Sequence, residues 1–301
     1  MRNTISAILA AAAADPEKRV IAVAAAHDPD VLKAVSAARR EGIASAILTG
    51  HSQEIQEILK DLGEDPRNYE IIEAETDGDC AFEAVRAVRE GKANFLMKGL
   101  LGTGDLMRAV ISKETGLRTG RLISHVMLYE VPGHKMIALS DGGMNTFPDL
   151  DKKAEILENA AKVLKALGYE TINAACVCGA EVVNPKVQSM VDAKALSEMT
   201  ERWAPYHMQV CGPVGLDLAV SVEACKHKHF SAPGAGEADI LLVPSYEVGN
   251  GIGKAMTLFG GAKNAGIILG AKVPIVLVSR ADTAESKLAS IALGALTAGK
   301  V

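Results

Sequence analysis

A chain of 301 residues with 49% hydrophobic content can bury large cores, and its length suits two domains or one large one. The formal charge of −5 argues against a nucleic-acid binder, because neutralising a phosphate backbone takes a basic excess that is missing here. No apolar run approaches the length that spans a bilayer, and five cysteines with no CxxC pair suit free thiols in a reducing cytoplasm better than a disulfide scaffold.

Arg2 followed by the apolar residues 5–14 imitates a short signal peptide. That stretch stops at Asp15 and Pro16, and Ile5, Ile8 and Leu9 lie at helical spacing, so a first helix packed on the domain is expected. Residues 19–25 read as a strand ending at His27, Asp28 and Pro29, with a helix from Asp30 that buries Val31, Ala34, Val35 and Ala38. Strands at 45–48 and 69–72 alternate with helices at 53–62 and 79–89, which predicts βαβ units and a parallel sheet.

The strand at 94–97 runs into Lys98, Gly99, Leu100, Leu101, Gly102, Thr103, Gly104 and Asp105. Glycines let a turn bring its N–H groups close to an anion, Lys98 adds charge, and the helix from about Asp105 points its N-terminus at the same place. The turn is therefore a candidate phosphate cradle, although it is neither a Walker nor a dinucleotide pattern and a glycine-rich helix entry can be no more than that. Residues 116–124 are basic and glycine-punctuated and are expected to cross between domains, which would set Arg118 and Arg121 at a cleft mouth where a nucleotide's phosphates could meet them.

Residues 126–129 and 135–139, joined through Pro132 and Gly133, form the clearest hairpin, so the second sheet is expected to be mixed. The second strand leads through Asp141 and Asn145 to Pro148 and a helix at 150–167. A strand at 171–177 carries Cys176, and a helix opens at Asn184 and Pro185; residues 206–218 then precede a helical stretch through Cys225. Recruiting Cys176, Cys178, Cys211, Cys225, His227 or His229 to a metal matches no common zinc spacing, so no metal is expected. The runs 240–243 and 274–278 read as buried parallel strands. The first ends in Pro244 and a turn with Gly249 and Asn250; the second ends in Ser279, Arg280 and Asp282 before a helix. Arg280 there offers a planar fork of donors suited to a phosphate or acyl-phosphate oxygen.

Strand, proline, x-x-x-Gly249-Asn250, a lysine-bearing helix, a further strand and the Ser279-Arg280 turn together resemble the C-terminal signature of the phosphate acetyl/butyryltransferase family. The likeness extends through most of the chain, and the length without an additional domain favours its butyryl-transferring members. The resemblance implies a two-lobed α/β fold of mostly parallel sheets, like the isocitrate and isopropylmalate dehydrogenases, with the active site in a cleft between lobes. The lobes are expected at 1–124 plus 267–301 and at 125–266, so that the Ser279 turn shares a cleft with the Gly99–Asp105 turn. It also implies a cytoplasmic homodimer or larger homo-oligomer.

The implied reaction is butyryl-CoA plus inorganic phosphate giving butyryl phosphate plus CoA, with CoA as a substrate and no permanently bound cofactor. Asp141, Asn145, Gly249 and Asn250 become candidates for substrate binding beside Lys98, Gly99, Gly102, Thr103, Gly104 and Arg121. Ser279 and Arg280 match the family's catalytic pair. The family's following Asp falls at Ser286 here, which leaves Glu285 or Asp282 as the base that helps deprotonate the thiol, or transfer assisted mainly by electrostatics. Phosphate acetyltransferase is the nearest alternative. A dehydrogenase would need clustered metal-binding aspartates, and a non-catalytic bilobed small-molecule-binding protein would leave the Ser279 to Glu285 turn without a task.

Overall fold

The computed structural model describes residues 1–278 and 282–300; Ser279, Arg280, Ala281 and Val301 lie outside the described residues. The chain divides into two compact units, one of Ile5–Arg121 with Ala265–Val301, the other of Met1–Thr4 with Leu122–Asn264. The first four residues go with the latter because Arg2 N–H donates to Leu167 O at 3.0 Å.

The first unit alternates helix and strand: α1 (Ile5–Ala14), β1 (Arg19–Ala24), α2 (Pro29–Arg40), β2 (Ala44–Gly50), α3 (Ser52–Asp61), β3 (Glu70–Glu73), α4 (Asp77–Arg89), β4 (Phe95–Lys98) and α5 (Thr103–Val110). The local sequence explains the boundaries. Asp28 caps α2 by accepting from Val31 N, Pro29 sits at the first helical position, and Arg39 and Arg40 stand in the last turn, where the helix dipole favours cations. Thr76 caps α4 in the same way.

The second unit contributes β5 (Ser124–Glu130), β6 (Ile137–Ser140), α6 (Leu150–Ala166), β7 (Ile172–Val177), α7 (Gln188–Glu198), α8 (Thr200–Trp203), β8 (Met208–Val214), α9 (Leu216–Val220), α10 (Val222–His227), β9 (Ile240–Leu242) and α11 (Tyr246–Leu258). Its strands lie in the order β5-β6-β9-β7-β8. The β5–β6 hairpin is antiparallel, and the β6–β9, β9–β7 and β7–β8 pairs are parallel, so the sheet is mixed. Residues 208–214, which the sequence reading left without a strand, form the β8 edge.

The chain then returns to the first unit through β10 (Lys263–Leu269), β11 (Ile275–Val276) and α12 (Ala284–Thr297), and the strand order there is β3-β2-β1-β4-β11-β10. β11 runs parallel to β4 and antiparallel to β10. The strand expected over 274–278 is thus shorter, and β10 was not anticipated. KNAGIIL is buried from Asn264 onward on both faces and lacks the alternation that marks a half-exposed strand. All four residues of β4 are buried, including Lys98, as in a strand covered on both faces.

Glu64 ties α2 to the segment before β3. It is 6% exposed and accepts from Ser36 Oγ at 2.8 Å, Arg39 Nη2 at 2.6 Å and Tyr69 OH at 3.2 Å, with Arg40 Nε 2.9 Å away. Burial alone would raise its pKa, but the hydrogen bonds from Ser36, Arg39 and Tyr69 outweigh it and hold the carboxyl below the ordinary carboxylate range. A depressed folded pKa gives stability that is present above the unfolded value and lost as pH falls through the folded one. Glu64→Gln should therefore cost about 1–3 kcal/mol in urea unfolding at pH 7, and the gap to the parent should narrow below about pH 4.

Candidate active site

In the first unit the candidate cradle begins where β4 ends. Gly99 N–H donates to Ala24 O and Leu100 N–H to Ala25 O, both at 2.8 Å, so these two donors are committed to bracing the β4 exit on the β1 exit. A Cβ on Gly99 would lie 2.1 Å from Ala25 O and 2.6 Å from Ala24 O, which makes the glycine a steric requirement. The expectation that the whole turn aims its N–H groups at an anion is corrected at these positions. Among the described residues, the N–H groups of Leu101 and Gly102, and of Thr103 and Gly104 in the first turn of α5, have no acceptor. They remain the donors this turn can offer.

Lys98 is 5% exposed and curls its ammonium back over its own turn, donating to Gly99 O at 3.0 Å and Leu101 O at 3.1 Å. It lines a small recess of about 20 Å³ together with Asp28, Val31, Gly99, Leu100, Val278 and Lys287. Lys287 escaped the sequence reading, although a signal was present: it lies four and seven residues before the buried Ile291 and Gly294, on a helix face that should be apolar. Ser279 and Arg280 lie outside the described residues; Val278 and Lys287 line this recess. Asp282 is half-buried and its carbonyl accepts from Lys287 Nζ, whereas Glu285 is exposed in the first turn of α12. Arg121 is exposed, and its N–H donates to Thr119 Oγ1.

In the second unit Asp141 is 2% exposed and saturated: Oδ1 accepts from Gly143 N and Met144 N at 2.8 Å, and Oδ2 from Asn145 Nδ2 at 2.6 Å and His125 N at 3.1 Å. Asn145 also donates to Ile123 O at 3.0 Å, which uses its second amide hydrogen. Of the two readings open in the sequence, contact with substrate or organisation of a turn, this geometry favours the second. Gly249 packs α11 against the same turn, since a Cβ there would stand 2.8 Å from Gly142 Cα. Asn250 beside it is half-buried, and its side-chain amide has no hydrogen-bond partner among the described residues. Gly99→Ala should force β4 and β1 apart at their exits, costing about 2–4 kcal/mol in chemical denaturation, while Gly104→Ala, whose added Cβ meets nothing within 4 Å, should stay within about 1 kcal/mol of the parent.

Comparison with known proteins agrees along nearly the whole chain. The profile of the Phosphate acetyl/butaryl transferase family matches residues 4–83 and 76–295. The phosphate butyryltransferase of Clostridium acetobutylicum is 43% identical over 284 residues, 94% of either chain. The phosphate acetyltransferase of Thermotoga maritima is 41% identical over 92% of this chain and 95% of its own. Among solved structures, a branched-chain phosphotransacylase from Enterococcus faecalis superposes with a TM-score of 0.84 at 34% identity, over 94% of this chain and all of that one. With its family's profile over most of its length and relatives above 40% identity, the chain belongs to the phosphate acetyl/butyryl transferase family.

Proposed function

We propose that the protein reversibly transfers a short-chain acyl group, butyryl above others, between CoA and inorganic phosphate. The observation that carries this reading is the near-full-length likeness to phosphate butyryltransferases at 42–43% identity. A phosphate oxygen attacks the thioester carbonyl, the C–S bond breaks, and CoA leaves as a thiolate that takes up a proton; the reverse reaction begins with deprotonation of the thiol. CoA is a substrate under this reading, and no cofactor is permanently held. Phosphate acetyltransferase activity is the second reading, favoured by the 41% identity to the Thermotoga enzyme.

Arg280 is proposed to bind the oxygens of the attacking phosphate, or of the acyl phosphate in reverse, beside Ser279. Asp282 or Glu285 is proposed to assist the thiol, and the N–H groups of Thr103 and Gly104 and the amide of Asn250 to hold substrate. The fold likeness to isocitrate and isopropylmalate dehydrogenases and assembly as a homodimer or larger oligomer belong to the same proposal. So do the lobes 1–124 with 267–301 and 125–266. A cytoplasmic location is supported by five free thiols, four of them buried.

Release of CoA from acetyl-, propionyl-, butyryl- and valeryl-CoA in phosphate buffer tests the reading. Each methylene is worth about 0.8 kcal/mol of burial, so kcat/KM for butyryl-CoA should exceed that for acetyl-CoA by about tenfold. Equal or reversed preference would favour the acetyl reading, and no phosphate-dependent release would end both. Arg280→Lys should keep the parental thermal midpoint and lose about a hundredfold in turnover, because lysine keeps the charge without the bidentate fork; near-parental turnover would remove Arg280 from the mechanism.

A further inference from the structure

We infer that Lys287 and Lys98 form a two-cation subsite for a phosphoryl group, with Lys287 as a binding residue of the reaction proposed above. Lys287 is 3% exposed, an unusual position for an ammonium, which ordinarily extends its stem until the charge meets water. Among the described residues it makes one hydrogen bond, to Asp282 O, and no ion pair. An ammonium has three donors, and a buried charge without a counterion is costly.

Two further features oppose a cation at this place. Lys287 is the fourth residue of α12, in the helical turn whose unpaired N–H groups carry the positive end of the dipole. Lys98, also buried, lines the same recess and adds a second like charge. Asp28 also lines the recess, and its carboxylate is engaged in capping α2 through Val31 N. Burial, dipole and like charge all disfavour Lys287 as it stands, and a bound dianion offsets all three at once.

The arrangement rests on the acyl-transfer reading but is tested apart from it. Binding of inorganic phosphate, and separately of CoA, to the full chain would be measured by titration calorimetry and by the rise in thermal midpoint. These would be compared for the parent, Lys287→Met and Lys98→Met, alongside the CoA-release assay. Lys287→Met should weaken phosphate binding by about tenfold to a hundredfold, abolish most of the phosphate-induced rise, and leave the ligand-free midpoint unchanged or higher. Weakened phosphate binding with CoA binding unchanged assigns the subsite to the attacking phosphate, and weakened CoA binding assigns it to a phosphate of CoA. Parental binding of both in Lys287→Met overturns the inference while leaving the activity reading intact. Absence of phosphate-dependent CoA release from the parent ends the activity reading, and calorimetry still decides the subsite. If Lys287→Met does not fold, Lys287→Gln carries the same measurement.

Discussion

The first unit depends on one close approach, the backbone of Gly99 against the carbonyls of Ala24 and Ala25. Two parallel strands, β1 and β4, must end side by side for α2 and the Lys98 turn to open toward the same space, and only a residue without a Cβ lets their exits meet. Ala25 takes a left-handed φ of 55° there, a strained choice for a residue with a Cβ. Its carbonyl accepts from Leu100 N–H while that of Ala24 accepts from Gly99 N–H. The brace fixes where Lys98 can put its ammonium, and so where the recess lies.

The charges of the recess and those of the second unit show opposite treatments of a buried ionic group. Lys153 and Asp192 in the second unit pair at 2.6 Å, and Gln188 satisfies the other carboxylate oxygen at 2.7 Å. A buried pair completed in that way is closed, and removing one partner would leave an uncompensated charge. Among the described residues, Lys287 has no such carboxylate. Among the described residues, the fold completes one buried lysine with a carboxylate and gives the other a single carbonyl.

Asp141 belongs to the first kind. Its four accepted hydrogen bonds, with Gly142 and Gly249 pressed backbone to backbone, make the end of β6 a rigid corner on which α11 is seated. That rigidity gives Asn250 a defined position. An acid and an amide followed by proline in a sequence are equally compatible with a ligand contact and with a turn that holds itself together. The count of accepted hydrogen bonds separates the two.

The sequence by itself determined the alternation of strand and helix, the β5–β6 hairpin, the family and the neighbourhood of the Lys98 turn, because apolar periodicity, turn residues and short motifs are local and survive in one dimension. It could not determine β10 or β8, whose residues gain strand character from neighbours far along the chain: β10 from β11, and β8 from β7. Nor could it distinguish Gly99 as a steric necessity from Gly99 as an anion donor, since that depends on where the carbonyls of Ala24 and Ala25 fall. Lys287 is the clearest case. In sequence it is one of several lysines near a helix start, and only the packing of α12 leaves it 3% exposed and lining the same recess as Lys98, because burial is a property of what surrounds a residue and not of the residue.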